Sequence, residues 1–81
     1  NHEKIILVGH TDASGNLESN IKLSKQRAKS VRKLFITKFA VNPNQISTNG
    51  IGFLAPIASN ETKQGREKNR RVEVIIMPKL N

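Results

Sequence analysis

The chain has no cysteine, no tryptophan and no tyrosine, and its only aromatic residues are Phe35, Phe39 and Phe53. Without cysteine there is neither a disulfide framework nor a thiolate metal site, and with only His2 and His10 a zinc site lacks ligands, so no cofactor is expected. The redox compartment stays open on this count, since cysteine-free chains suit cytoplasm and periplasm alike. The missing tyrosine and tryptophan, with Phe35 at a core position of a helix, give little support to a stacking platform for single-stranded nucleic acid. Long hydrophobic runs are also absent. Ile5 to Val8 and Val74 to Met77 fall far short of the roughly 20 residues that cross a bilayer, and no signal-peptide pattern precedes them. Acid is scarce as well: Lys and Arg number 14 against 6 Asp and Glu, for a formal charge of +8, and Asp12 is the sole aspartate.

With 81 residues the chain makes one small domain that buries about two-thirds of its extended surface, so its stability margin is narrow. Asn1 is not a natural start, and the chain reads as a segment of a longer polypeptide. Lys4 to Gly9 is a β-branched run without polar alternation, which predicts a strand covered on both faces; Asp12 to Asn16 then ends it in a turn. Leu17, Ile21, Ala28, Val31 and Phe35 keep a helical stripe while Lys22, Lys25, Lys29 and Lys33 take other faces, giving an amphipathic helix from about Leu17 to Phe39. Pro43 and its flanking asparagines stop that helix, and Gln45 to Ile51 reads as a second strand closed by Gly50 and Gly52. A helix between two strands implies a right-handed βαβ crossover. After a loop over Pro56 to Asn60, a short helix is expected from about Glu61 to Lys68, capped by Asn60 and weakened by Gly65. The last strand is expected over Asn69 to Ile76, and Lys79 to Asn81 reads as a frayed tail. The fold class is therefore α/β, a two-layer sandwich with helices packed on one face of a small mixed β-sheet.

Asp12 is placed for binding, because the crevice beyond the carboxyl ends of strands is the favoured ligand position in an open α/β sheet. The helix after it returns toward the same loop, and Asn20, Leu23 and Arg27 share one stripe of it, so Arg27 can face Asp12. A carboxylate and a guanidinium side by side can hold a zwitterion, the acid accepting from an ammonium while the arginine forks a carboxylate. Two plainer arrangements are open on spacing alone: Asp12 and Arg27 pair with each other, or Asp12 accepts backbone N–H groups in an Asx-turn.

The residues Gly9-His10-Thr11-Asp12, Gly15, Asn20, Leu23-Ser24, Arg27-Ala28, Val31, Gly50, Gly52, Pro56, Asn60, Gly65-Arg66 and Asn69-Arg70-Arg71-Val72-Glu73 resemble the OmpA-like peptidoglycan-binding domain, in order, from about residue 5 to residue 76. The family spans peptidoglycan-associated lipoproteins, the C-terminal domains of outer-membrane porins, and flagellar stator proteins. The resemblance implies non-covalent binding of peptidoglycan through the meso-diaminopimelate of the stem peptide, anchoring the parent envelope protein to the cell wall. It implies a periplasmic location in a diderm bacterium. The parent is expected on the outer membrane first and as an inner-membrane stator second, with membrane attachment supplied only outside this segment. The family's diaminopimelate-holding pair matches Asp12 and Arg27. Asn69 and Arg70 are further members by the same resemblance, with a structural bracing role as the alternative, while Thr11, the amides of Ala13 to Gly15, Asn20 and Leu23 would line the pocket. Diaminopimelate ends in an ammonium and a carboxylate on one carbon, and a lysine stem lacks that carboxylate. Leaving a buried Arg27 unpaired would cost on the order of 1 to 3 kcal/mol.

The resemblance departs at the start, where the family has a further strand and helix. Their absence predicts an exposed sheet edge and an uncovered apolar face, to be covered by residues outside the segment, a homo-oligomer or a swap. Two other classes compete with this reading. A basic nucleic-acid-binding module is the alternative reading of the charge, opposed by the missing aromatics, so no nucleic-acid partner is expected. Catalysis is not expected: His10 and Asp12 share a face by strand period, yet neither Ser14 nor Ser24 completes a triad with an oxyanion hole, and His10 reads as a satisfied structural histidine.

Overall fold

A computed structural model describes residues 3–78; the tail expected from Lys79 lies outside them. The strand β1 (Lys4–Gly9) leads into helix α1 (Leu17–Phe39), a single 3-10 turn at Pro43–Gln45, strand β2 (Ile46–Gly50), helix α2 (Lys63–Asn69) and strand β3 (Val72–Met77). The sheet order is β2-β1-β3, with β2 parallel and β3 antiparallel to the central β1. Two helices against a small mixed sheet make the two-layer α/β arrangement that the periodicity predicts.

Local chemistry sets the helix ends. Asn16 caps α1 by accepting from Ser19 N–H at 2.8 Å, with Glu18 in the first turn. At the other end Ala40 turns left-handed at φ 54°, a conformation that costs a non-glycine residue roughly 1 kcal/mol, and Val41 N–H returns to Phe35 O at 3.2 Å. The short helix begins later than expected, at Lys63, because Thr62 is its cap and accepts from Gly65 N–H at 2.9 Å. Asn60, the cap expected from the sequence, instead spends its side chain on the loop after β1. Gly65 has a packing reason, since a Cβ there would lie 1.8 Å from Ser59 O. The helix also runs on to Asn69, so the last strand starts at Val72 rather than Asn69.

Leu7 of β1, Ala28 of α1 and Ile46 of β2 form the buried centre, ringed by Ile5, Val31, Phe35, Ile36, Val41 and Val72. Helix α1 covers one face of β1. Ile6 and Val8 point to the other face and are only partly buried, so the expectation of a strand covered on both faces fails: among the described residues no layer packs there. On β3, Val74, Ile75, Ile76 and Met77 are all about half exposed, and the outer side of this strand pairs with no other described strand.

Two glycines bring α1 unusually close to the sheet. Gly9 and Gly50 are register partners at the carboxyl ends of β1 and β2. A Cβ on Gly9 would sit 1.9 Å from Ser24 O, and one on Gly50 would sit 2.4 Å from Lys25 N. Ser24 is fully buried in that gap, donating to Ile21 O at 2.8 Å and accepting from Gly52 N–H at 3.0 Å. The contact fixes the first half of α1 over the ends of the two strands, beside the loop that carries Asp12.

Candidate functional site

The loop after β1 is held from three sides. His10 N–H donates to Arg71 O (2.8 Å), Thr11 N–H to Gly52 O (2.9 Å), and Ala13 N–H to Asn60 Oδ1 (3.2 Å). Asp12 is thereby kept nearly buried at a rim, with 8% of its surface exposed. Its Oδ1 accepts from Ser14 N–H at 2.9 Å, closing an Asx-turn, and its Oδ2 accepts from Arg70 Nη1 at 2.5 Å. The backbone N–H of Ser14 does most to hold the Asp12 carboxyl down to about 2, followed by the Ser14 hydroxyl and the Arg70 guanidinium. Asp12 is therefore a fixed anion at neutral pH.

Arg27 reaches the same loop but not the acid. Its Nη1 donates a long 3.4 Å bond to His10 O, so the direct Asp12–Arg27 pairing left open by the spacing is not the one formed. Arg70, from the end of α2, occupies that place. Its side chain is 37% exposed and keeps further N–H groups for a ligand. The rim thus carries one carboxylate and two guanidinium groups from three separate parts of the chain.

The other expected members divide by their hydrogen bonds. Thr11 is buried, its hydroxyl donating to Asp12 O at 2.9 Å. Asn20 is buried under the loop and donates to Ser14 O at 2.6 Å and Asn16 O at 3.0 Å. Leu23 is 39% exposed, an apolar surface beside them on the helix stripe. Asn69 is fully buried; its Oδ1 accepts from Ile57 and Ala58 N–H, and its Nδ2 donates to Ala58 O and Asn60 Oδ1, all between 2.8 and 3.0 Å. Both its donors and its acceptor are engaged, so Asn69 is a brace for the 57–60 loop. The turn amides meant for a ligand carboxylate are likewise committed at Ala13 and Ser14.

His10 is buried as expected of a structural histidine, yet it is not satisfied. Its Nε2 lies 2.5 Å from Glu73 Oε1, a close approach that is not an aligned hydrogen bond, and Nδ1 has no partner among the described residues. Burial, with Arg71 nearby, pushes its pKa down. Glu73 is shared with Arg71 Nη2 at 2.9 Å. Sequence reasoning missed Asn60 as the bridge between the Ala13 amide and Asn69, and missed the close approach at Ser24. The pairing of Gly9 with Gly50 at the ends of two strands was the available signal for the second.

Among the described residues no cluster of three or more His, Asp or Glu can hold a metal ion, and no helix is long and apolar enough to cross a membrane. Residues 1–70 match the model of the OmpA family. The chain belongs to the OmpA family. This OmpA-family domain is 51% identical over 75 residues to outer membrane protein A of Bordetella avium, covering 93% of this chain and 38% of that protein. It is 44% identical over 73 residues to peptidoglycan-binding protein ArfA of Mycobacterium tuberculosis, covering 90% of this chain and 22% of that protein. In three dimensions it matches the C-terminal domain of Helicobacter pylori MotB with a TM-score of 0.86 at 36% identity, covering 95% of this chain and 59% of that one. The domain thus spans well under half the length of the curated relatives named here.

Proposed function

We propose that this domain binds peptidoglycan non-covalently through the diaminopimelate of the stem peptide and so anchors its parent envelope protein to the cell wall. The observation that carries the reading is the rim itself: a nearly buried, fully ionised Asp12 flanked by Arg70 and by Arg27, whose side chain makes one long hydrogen bond among the described residues. Each carboxylate oxygen of Asp12 accepts one hydrogen bond and has room for a second, so an ammonium can dock there. Arg27 then offers its fork to the carboxylate on the same ligand carbon. The relative whose printed name is peptidoglycan-binding protein supports the ligand class. Leu23 supplies an apolar wall, Thr11 and Asn20 hold the loop in shape, and Arg70 keeps Asp12 charged and oriented.

Under this reading the domain performs no chemistry. It works in the periplasm of a diderm bacterium, with the outer membrane as the attachment of the parent protein. The test is co-sedimentation with purified sacculi. Wild-type domain should pellet with diaminopimelate-containing sacculi and not with sacculi whose stems carry lysine. Asp12→Ala and Arg27→Ala should each abolish pelleting while retaining the wild-type circular dichroism spectrum. Equal pelleting of wild type and both variants would remove the site assignment, and equal pelleting on both wall types would remove the diaminopimelate reading.

A further inference from the structure

A cleft of about 460 Å³ lies away from the Asp12 rim, lined by Lys29, Arg32, Lys33 and Ile36 of α1 and by Ser47 and Thr48 of β2. No rim residue takes part in it. Its lining carries three cations and no acid, and this reflects the whole segment: between residues 19 and 60 the chain has seven Lys and Arg and not one Asp or Glu. Six acids and seven bases share the remainder, so almost all of the +8 charge resides on α1 and the stretch that follows it.

Arg32 is built into the cleft wall. Its Nε donates to Ile46 O at 3.0 Å and its Nη2 to Pro43 O at 2.9 Å, which fixes the guanidinium plane and leaves Nη1 without a hydrogen bond among the described residues. The described ion pairs all lie elsewhere, at His10, Arg70 and Arg71. Lys29 and Lys33, four apart on the same helix face, repel each other where a Glu at either position would attract. A carboxylate needs only one guanidinium. Two ammonium groups, a braced guanidinium and the hydroxyl of Thr48 suit an anion with more charge and three or four acceptor oxygens.

We propose that the cleft between α1 and β2 is a second binding site, for a phosphate group. The group is recognised by Lys29 and Lys33 as point charges, by Arg32 through its free Nη1, and by Thr48, on the α1 side of β2 as the register partner of Leu7, as a hydroxyl donor. It sits apart from the Asp12 rim, so a wall-bound domain can hold a phosphate-bearing molecule at the same time.

The experiment is a titration of the 15N-labelled domain with inorganic phosphate at constant ionic strength, with sodium chloride as the control. Saturable amide shifts are expected at residues 29–36 and 47–48, and the double variant Lys29→Gln/Lys33→Gln should bind phosphate about tenfold more weakly. Both lysines are exposed, so the variant should fold, which the rest of its spectrum reports. A parallel arm measures co-sedimentation with phosphatidylglycerol vesicles against phosphatidylcholine vesicles. Selective pelleting lost in the double variant supports the site and assigns the phosphate to a lipid headgroup; saturable phosphate shifts without pelleting support the site and assign it to a soluble molecule. Shifts no larger than those with chloride, shifts of equal size at Lys22 and Lys63, or undiminished binding by the double variant would overturn the proposal. Pelleting of the domain on sacculi should be unchanged in the double variant, which separates this site from the rim.

Discussion

The two ends of the same problem, how to place charge on a small domain, are solved in opposite ways at the Asp12 rim and at the cleft beside β2. At the rim the acids have answers from within the chain: Asp12 takes Ser14 and Arg70, and Glu73 takes Arg71 and approaches His10, while Arg27 has one long bond to a backbone carbonyl. In the cleft Lys29 and Lys33 have none among the described residues, and Arg32 is held by two backbone carbonyls. Internal compensation makes Asp12 and Arg70 part of the fold, so Asp12 variants should cost stability as well as binding. Missing compensation makes the cleft nearly free of structural duty, so its variants should change binding alone.

The sharpest way to break that contrast is to disturb what both regions share, the seating of α1. Gly9→Ala should destabilise by about 3 kcal/mol or more, because a Cβ would lie 1.9 Å from Ser24 O and backbone cannot yield. Urea unfolding should show it, with sacculus and phosphate binding lost together; a wild-type midpoint would refute the close-packing account. Asp12→Ala comes next. It removes an Asx-turn and leaves Arg70 without its partner, at a cost of about 1 to 2 kcal/mol by the same measurement, whereas Arg27→Ala should cost under about 0.5 kcal/mol because its protein bond is long.

Acid sharpens the contrast without mutation. The folded-state carboxyl of Asp12 at about 2 lies below its ordinary 3.8. Its contribution, on the order of 1 to 2 kcal/mol, is present above pH 4 and lost as pH falls toward 2. His10 is also depressed, so its share is full above its ordinary value of 6.5 and declines as pH falls below it. Melting temperature should fall in both windows for wild type, and the lower window should vanish in Asp12→Ala. The smallest effect belongs to the cleft: Lys33→Gln relieves one like-charge pair and should stabilise by about 0.2 to 0.5 kcal/mol at low salt, fading at high salt. A loss of stability there would mean that the cleft lysines do have structural duty.

Much of this was legible in the residues. β1 and α1 fall where the apolar run and the helical stripe put them, because both signals are long and periodic. The start of α2 was not, because Asn60 and Thr62 are both good caps and only the tertiary bonds of Asn60 to Ala13 and Asn69 decide between them. At the site, Asp12 could be singled out by its isolation and its position after a strand. Its partner could not: Arg27 and Arg70 are both within reach of the loop, and spacing along one helix sees only the first. Asn69 carries no mark in sequence that distinguishes a buried brace from a ligand-facing amide.

The sheet order has a consequence for how the domain comes to exist. β1 is central, yet its partners follow far downstream, Ile5 with Ile46 on one side and Lys4 with Met77 on the other. During synthesis β1 is made before either of its partners and gains its second edge only with β3, so few contacts of the sheet are local. The sheet closes only once β3 has been made, so the domain should fold slowly for its size, with Ile5 to Val8 exposed to chaperones in the meantime.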